Sequence, residues 1–318
     1  MTGLWALVRR DTKLYFKDKG MFFSSLITPI ILLVLYATFL KNVYADSFRS
    51  ALGAAETFVS DALVNGCVGG QLVSSLLAVC CVTVAFCSNL LMIRDKTTGA
   101  RGDLTIAPVR PGALGFGYYL ATLFSTLIVT VSATAVCFGY LAVTGWYLSA
   151  GDVLLVLLDV FLVTMFGTAL SSCINFFLTT DGQASAVGTI VSAGYGFVCG
   201  AYMPISSFGS GLQKALSFLP GTYGTALLRN HMLRGVFAEM SAQGFPAAAI
   251  DAIRDGLDCS LRFFGATVSQ SAMYAVLCGS VAALIGIYVV INRIKKIKKG
   301  KNKAFQKAVL IEPPFFRE

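Results

Sequence analysis

Apolar residues run along this chain in six long stretches, at about 22–40, 63–93, 114–145, 153–178, 184–203 and 269–292, separated by shorter polar segments. A helix needs roughly 20 predominantly apolar residues to cross the hydrocarbon core of a bilayer. The pattern therefore predicts six membrane-spanning helices. The second and third stretches are longer than a crossing requires, so those helices tilt or project beyond the bilayer. Ahead of the first stretch, Leu4, Leu7, Val8, Leu14 and Tyr15 lie opposite Arg9, Arg10, Lys13 and Lys17 at helical spacing. That spacing suits an amphipathic helix in the inner interface, or an ordinary cytoplasmic flank. The segment 204–268 is too long for a turn and reads as external. Leu212, Ala215, Leu216 and Leu219 make a short apolar face ending at Pro220. Ile250, Ile253, Leu257, Leu261 and Phe264 oppose Asp251, Arg254, Asp255, Asp258 and Arg262, the signature of a second, amphipathic helix.

Composition supports this class and supplies an orientation. Mean hydropathy is +0.74, with 56% hydrophobic and 13% charged residues, against about 25% charged in soluble domains. The net charge of +9 does not indicate nucleic acid, because the basic residues flank spans and no groove-fitting scaffold is present. The N-terminal segment, the loop after the second span and the tail 293–318 together hold 18 of the 25 Lys and Arg. These alternate segments are therefore assigned to the cytoplasmic side, with both termini inside and the basic tail available to anionic lipid. Val43-Tyr44-Ala45 resembles a signal cleavage site, but the preceding apolar run exceeds the 7–15 residues of a signal core, so an uncleaved first span is expected.

Several chemistries are disfavoured. Seven of the nine cysteines fall well inside predicted spans, Cys67 lies near the start of the second, no CxxC occurs, and Cys259 alone lies clearly in an external segment; this is no disulfide framework. With His231 as the single histidine, no multi-His metal site can form, and His231 is read as a surface or interfacial residue. No G-x-x-x-x-G-K-[ST] phosphate loop is present. No catalytic and no metal-binding residues are assigned, and no cofactor is expected in this chain.

Four features carry candidate function. Asp159 is an acid inside a predicted span, and intramembrane acids are costly; it belongs either to a substrate or proton path, or to a local pairing together with Asp152 near the outer interface. Asn175, Ser171 and Ser172 are weaker polar candidates on the same helix. Pro29 kinks the first span. Ala184, Gly188, Ser192, Gly196 and Gly200 recur every fourth residue, a ridge that lets another helix approach closely.

The fourth is the segment Ile93 to Pro108, the most polar between two long apolar runs. Arg94-Asp95-Lys96 follows the second span, with Gly99 three residues on, Arg101, Asp103 and Leu104 next, and Pro108 four after Leu104. This resembles the first cytoplasmic loop of ABC-2-type transporter permeases. Gly200 to Ile205, Leu219-Pro220, Tyr223 and Leu228-Arg229 are similar to that family's run after its fifth span. Two departures are visible: Asp95 and Asp103 stand where Glu is commoner, and the 235–265 region is longer than in minimal members.

The resemblance implies an all-α membrane domain over 1–292 with six spans, an N-terminal interfacial helix, a cytoplasmic coupling helix and short re-entrant or external helices before the last span, followed by the basic tail 293–318. It implies the permease subunit of an exporter in the plasma membrane, paired with a second or related permease and driven by a separate ABC ATPase that binds ATP and Mg. The expected coupling residues are Arg94, Asp95, Lys96, Gly99, Arg101, Asp103, Leu104 and Pro108, the three basic ones pairing with ATPase carboxylates. The 184–200 ridge is then placed at a protomer interface, and Asp159 and Pro29 on the substrate path. The drug, lipid, peptide or glycan nature of the cargo stays open. The competing class is an ion- or proton-coupled secondary transporter, which would show several intramembrane charges and repeated halves.

Overall fold

A computed structural model describes residues 2–52, 60–106 and 111–311, with the side chains of some positions inside helices left undescribed. Pro108 and Arg110 lie outside the described residues. In chain order the helices are α1 (Thr2–Lys17), α2 (Lys19–Leu35), a π-helical turn (Tyr36–Leu40), α3 (Lys41–Leu52), α4 (Asp61–Ser88), α5 (Leu90–Thr97), α6 (Ala100–Ile106), α7 (Pro111–Thr144) and α8 (Ala150–Asn175). They continue with α9 (Asp181–Val198), α10 (Ser210–Leu216), α11 (Pro220–Ala242), α12 (Ala247–Gly256) and α13 (Gln270–Ile311). A small antiparallel hairpin, β1 (Arg262–Phe263) and β2 (Ala266–Thr267), turns through Phe264 and Gly265 at φ +49° and +92°. Two successive positive φ angles match the twist of a tight hairpin.

The hub is α4. It is apolar all round, and a helix with no polar stripe finds its place surrounded by other helices. Here α2, α3, α7, α8, α9 and α11 all pack on it. By contrast α7 and α13 leave broad apolar faces outward, at Ile128, Val136, Val143, Ile287 and Val290. In a bilayer such faces meet lipid. Ser60 caps α4 through the Leu63 N–H, and Ser149 with Asp152 forms a reciprocal capping box at the start of α8.

Among the described residues four segments are long and apolar enough to cross a membrane: Asp61–Thr97, Gly112–Thr144, Ala150–Asn175 and Gln270–Ile294. α1 and α2, bent by 73° at Asp18, make a fifth when taken together. The difference from six lies at α9. Its N-terminal half is diluted by Asp181, Gln183, Ser185 and Thr189, so 18 helical residues do not amount to an apolar crossing on their own.

The segment 204–268 places one long helix inside the bundle. α11 is buried among α4, α8 and α13. Gly224 sits against Val163 in the middle of α8 and Leu277 of α13, whereas Gly235 lies on the backbone of Tyr147, just ahead of α8. Eleven residues at 1.5 Å rise make about 16 Å, so between these points α11 runs beside the N-terminal half of α8, from its middle toward its start. The predicted amphipathic helix is also shorter than its periodicity suggested. α12 stops at Gly256, Asp258 takes φ +52°, and Leu261 and Phe264 belong to the loop and hairpin.

Candidate functional site

The polar segment after α4 forms an elbow. The main chain breaks at Asn89, resumes as α5, and turns at Gly99, whose φ of +81° places it in the left-handed region where a Cβ is strained. α6 follows with Gly102 and Asp103 exposed. Three consecutive residues of α5 then reach three different parts of the molecule.

Arg94 forms an ion pair with Asp18. Asp18 is also the N-cap of α2, accepting from the Met21 N–H at 3.1 Å. These donors hold its carboxyl below the usual carboxylate range, the Met21 amide first and Arg94 after burial. Asp95 is buried and gripped by Arg10 of α1, Nη1 at 2.8 Å and Nη2 at 3.1 Å, and by the Tyr118 hydroxyl of α7 at 2.7 Å. Arg10 Nη1 also donates to Asp11 at 2.6 Å. Two buried carboxylates thus share one guanidinium, and Asp11 Oδ2 has no hydrogen-bond partner among the described residues. Burial pushes the Asp11 carboxyl up to about 7 against the pull of Arg10. Lys96 turns the other way and donates to the carbonyls of Asn175, Phe176 and Leu178 at 3.0, 2.8 and 2.7 Å. Those oxygens lie at the C-terminal end of α8, where helix carbonyls lack intrahelical partners and a cation is favoured.

Of the remaining predicted residues, Arg101 stacks its guanidinium over the Phe176 ring at 6.0 Å, and Leu104 packs against the cluster of Leu114, Tyr118 and Phe176. Leu104 therefore faces this chain's own core. The described residues of the predicted coupling set lie on this elbow, with Arg94 and Lys96 engaged inside the chain. The sequence reading missed Arg10, Asp11, Asp18 and Tyr118, whose chain positions lie far from the elbow; Arg10 stood only as part of an amphipathic pattern.

The second polar cluster lies between α8, α11 and α13. Asp159 is fully buried; its Oδ2 lies 2.6 Å from His231 Nδ1, and its Oδ1 accepts from the Tyr274 hydroxyl at 2.6 Å. His231 is accordingly no surface residue: α11 carries it into the interior because Asp159 waits there. Asp152 pairs separately with Arg234 at 3.4 Å. One turn away, Arg229 reaches the Gly200 carbonyl, Ser75 and Asp258, and Asn230 donates to the Cys259 carbonyl at 2.7 Å. Asp258 also receives the Ile205 and Ser206 N–H groups. The loops on either side of α11 are thereby tied to one helical turn.

Within this chain the residues of the α9 ridge meet different surroundings. Ala184 is buried beside α4, Gly196 receives the ring of Tyr202, and Gly200 lies past the helix at φ +72° against Ile205. Gly188 and Ser192 are partly exposed, and no atom stands within 4 Å of the place a Gly188 Cβ would take. Pro29 lines an apolar groove of about 320 Å³ between α2 and α7, with Phe22, Leu33, Val129 and Cys137.

The long central helix, the polar elbow after it and the apolar helices around it describe a membrane-spanning bundle. The sequence matches the family described as ABC-2 type transporter over residues 2–233. The chain belongs to that family. It is a membrane-spanning permease component of an ABC transporter, and such permeases work with an ABC ATPase partner. A search of curated proteins gave no match. The match ends within α11 and does not cover α12, the hairpin or α13.

Proposed function

We propose that this ABC-2 permease is the transmembrane half of an ATP-driven exporter, with ATP and Mg bound by a separate ATPase. Two copies, or this chain and a related permease, assemble with two ATPase subunits in the plasma membrane. α2, α4, α7, α8, α9 and α13 act as the six spans, α9 being shielded by the assembly because it is too polar to face lipid alone. Both termini and the elbow lie in the cytoplasm, α1 rests in the inner interface, and α11 is a half-depth helix entered from outside. The cargo is a drug, lipid, peptide or glycan-type molecule.

The observation that carries this reading is the elbow itself. α5 is locked to α1, α7 and α8, whereas α6 beyond Gly99 presents Gly102 and Asp103 outward. A clamped helix that continues into an exposed stretch is what transmission from a soluble motor requires. Ion- or proton-coupled transport would draw on Asp159, but that carboxylate is committed to His231 and Tyr274. Co-purification with the product of a neighbouring ATPase gene tests the proposal: a stable complex whose hydrolysis resides in the partner is expected. Robust ATP hydrolysis by rigorously purified permease alone would overturn it.

A further inference from the structure

The basic residues of the elbow divide by what they touch, and Lys96 stands apart. Its ammonium caps the final carbonyls of α8 and lies 5.7 Å from the Phe176 ring centroid. The same end of α8 is gripped at a second point by Asn89, whose amide donates to Ser171 and Ser172 at 3.0 and 2.9 Å. From Phe176 the contact passes to the Tyr288 ring of α13, edge-on at 6.2 Å, and the Tyr288 hydroxyl donates to the Gly115 carbonyl of α7 at 3.1 Å. Three residues beyond Leu178 begins α9. α5 thus holds the turn between α8 and α9, and Arg101 of α6 lies over the same Phe176 ring.

We propose that Lys96 is a positioning residue that latches the elbow to the α8–α9 turn, so that displacement of α6 is passed to α9, and that it makes no ion pair with the ATPase. This rests on the coupling function proposed above. The reason is geometric. A lysine satisfies at most three acceptors, and three carbonyls of this chain already occupy hydrogen-bond distance. Withdrawing it would leave helix-end carbonyls facing a weakly hydrated junction.

The test uses the full permease carrying Lys96→Met, which keeps the apolar stem and removes the donors, and Lys96→Arg, which keeps a cation. In detergent, without ATPase, amide exchange over 176–180 is followed by mass spectrometry. Lys96→Met speeds exchange there and Lys96→Arg restores it; unchanged exchange in Lys96→Met overturns the latch. In the complex, spin labels at Thr98 and, separately, at Ala186 are compared between the two permease copies before and after trapping with ATP and vanadate, with the exposed Cys278 replaced by Ser. Wild type moves at both positions. Lys96→Met keeps the Thr98 movement and loses the Ala186 movement, while ATPase pull-down is unchanged. A loss of pull-down by about tenfold or more, the scale of a broken interface ion pair, places Lys96 in the ATPase interface and overturns the proposal, as does an intact Ala186 movement. Failure of wild type to retain any ATPase sinks the coupling function instead, and the exchange measurement still decides whether the latch exists.

Discussion

Asp159 and His231 are each costly alone and tolerable together. Removing one partner of a buried pair leaves an uncompensated charge, worth roughly 3–5 kcal/mol, whereas replacing both by apolar residues is often neutral. His231→Ala is therefore expected to lower thermal stability in detergent by about that amount. The double replacement Asp159→Leu with His231→Leu should recover most of it. A double variant as unstable as the sum of its singles would show that the pair does not act as a unit. Asp11 gives a pH signature. Its carboxyl titrates near 7 in the fold, above its ordinary value of 3.8, so the folded state holds the proton more tightly. Stability tied to this group is fully present below about pH 4, declines as pH rises, and levels off above about 7. Wild type should lose more thermal stability between pH 5 and 8 than Asp11→Asn; parallel profiles would exclude Asp11 as the source.

Helices and their junctions show where sequence reasoning reaches and where it stops. α4, α7, α8 and α13 were legible because an all-apolar run has one stable place in a membrane protein. The elbow was legible because a charged, Gly-punctuated stretch between two such runs cannot sit in the bilayer. α11 was not, since Arg229, Asn230 and His231 read as soluble until their partners Asp258, Cys259 and Asp159 are brought beside them. The roles of Arg94, Asp95 and Lys96 were hidden for the same reason, each partner lying 76 to 85 residues away in sequence or contributed by another helix. Two glycines allow tests. A Cβ at Gly235 would overlap the Tyr147 carbonyl, so Gly235→Ala should destabilise by about 1–3 kcal/mol or more, read as lower melting temperature and abundance. Gly99 has open space around it, so Gly99→Val adds only left-handed strain, roughly 1–2 kcal/mol. Normal abundance with weaker coupling of hydrolysis to export is expected there. Unchanged export at equal abundance would make the elbow a plain connector.

The whole molecule is a ring of apolar helices around α4, with a clamped polar joint at one end and a loop-and-hairpin cap at the other. Labelling of single accessible cysteines in sealed vesicles should place Ala100 and Leu310 on one side and Phe245 on the other. Ala100 and Phe245 on the same side would break the proposed layout. The half-depth position of α11 bears on how the protein is made. A helix bearing an arginine, an asparagine and a histidine does not partition into lipid as it leaves the ribosome. It has to wait in the aqueous vestibule or against the translocation machinery until Asp159 on α8 is already in place and Tyr274 on α13 has arrived. Biogenesis is then ordered, with α11 seated last although it is not last in the chain. A nascent chain halted before α13 would expose an unfinished polar surface, the kind that membrane quality-control proteases recognise.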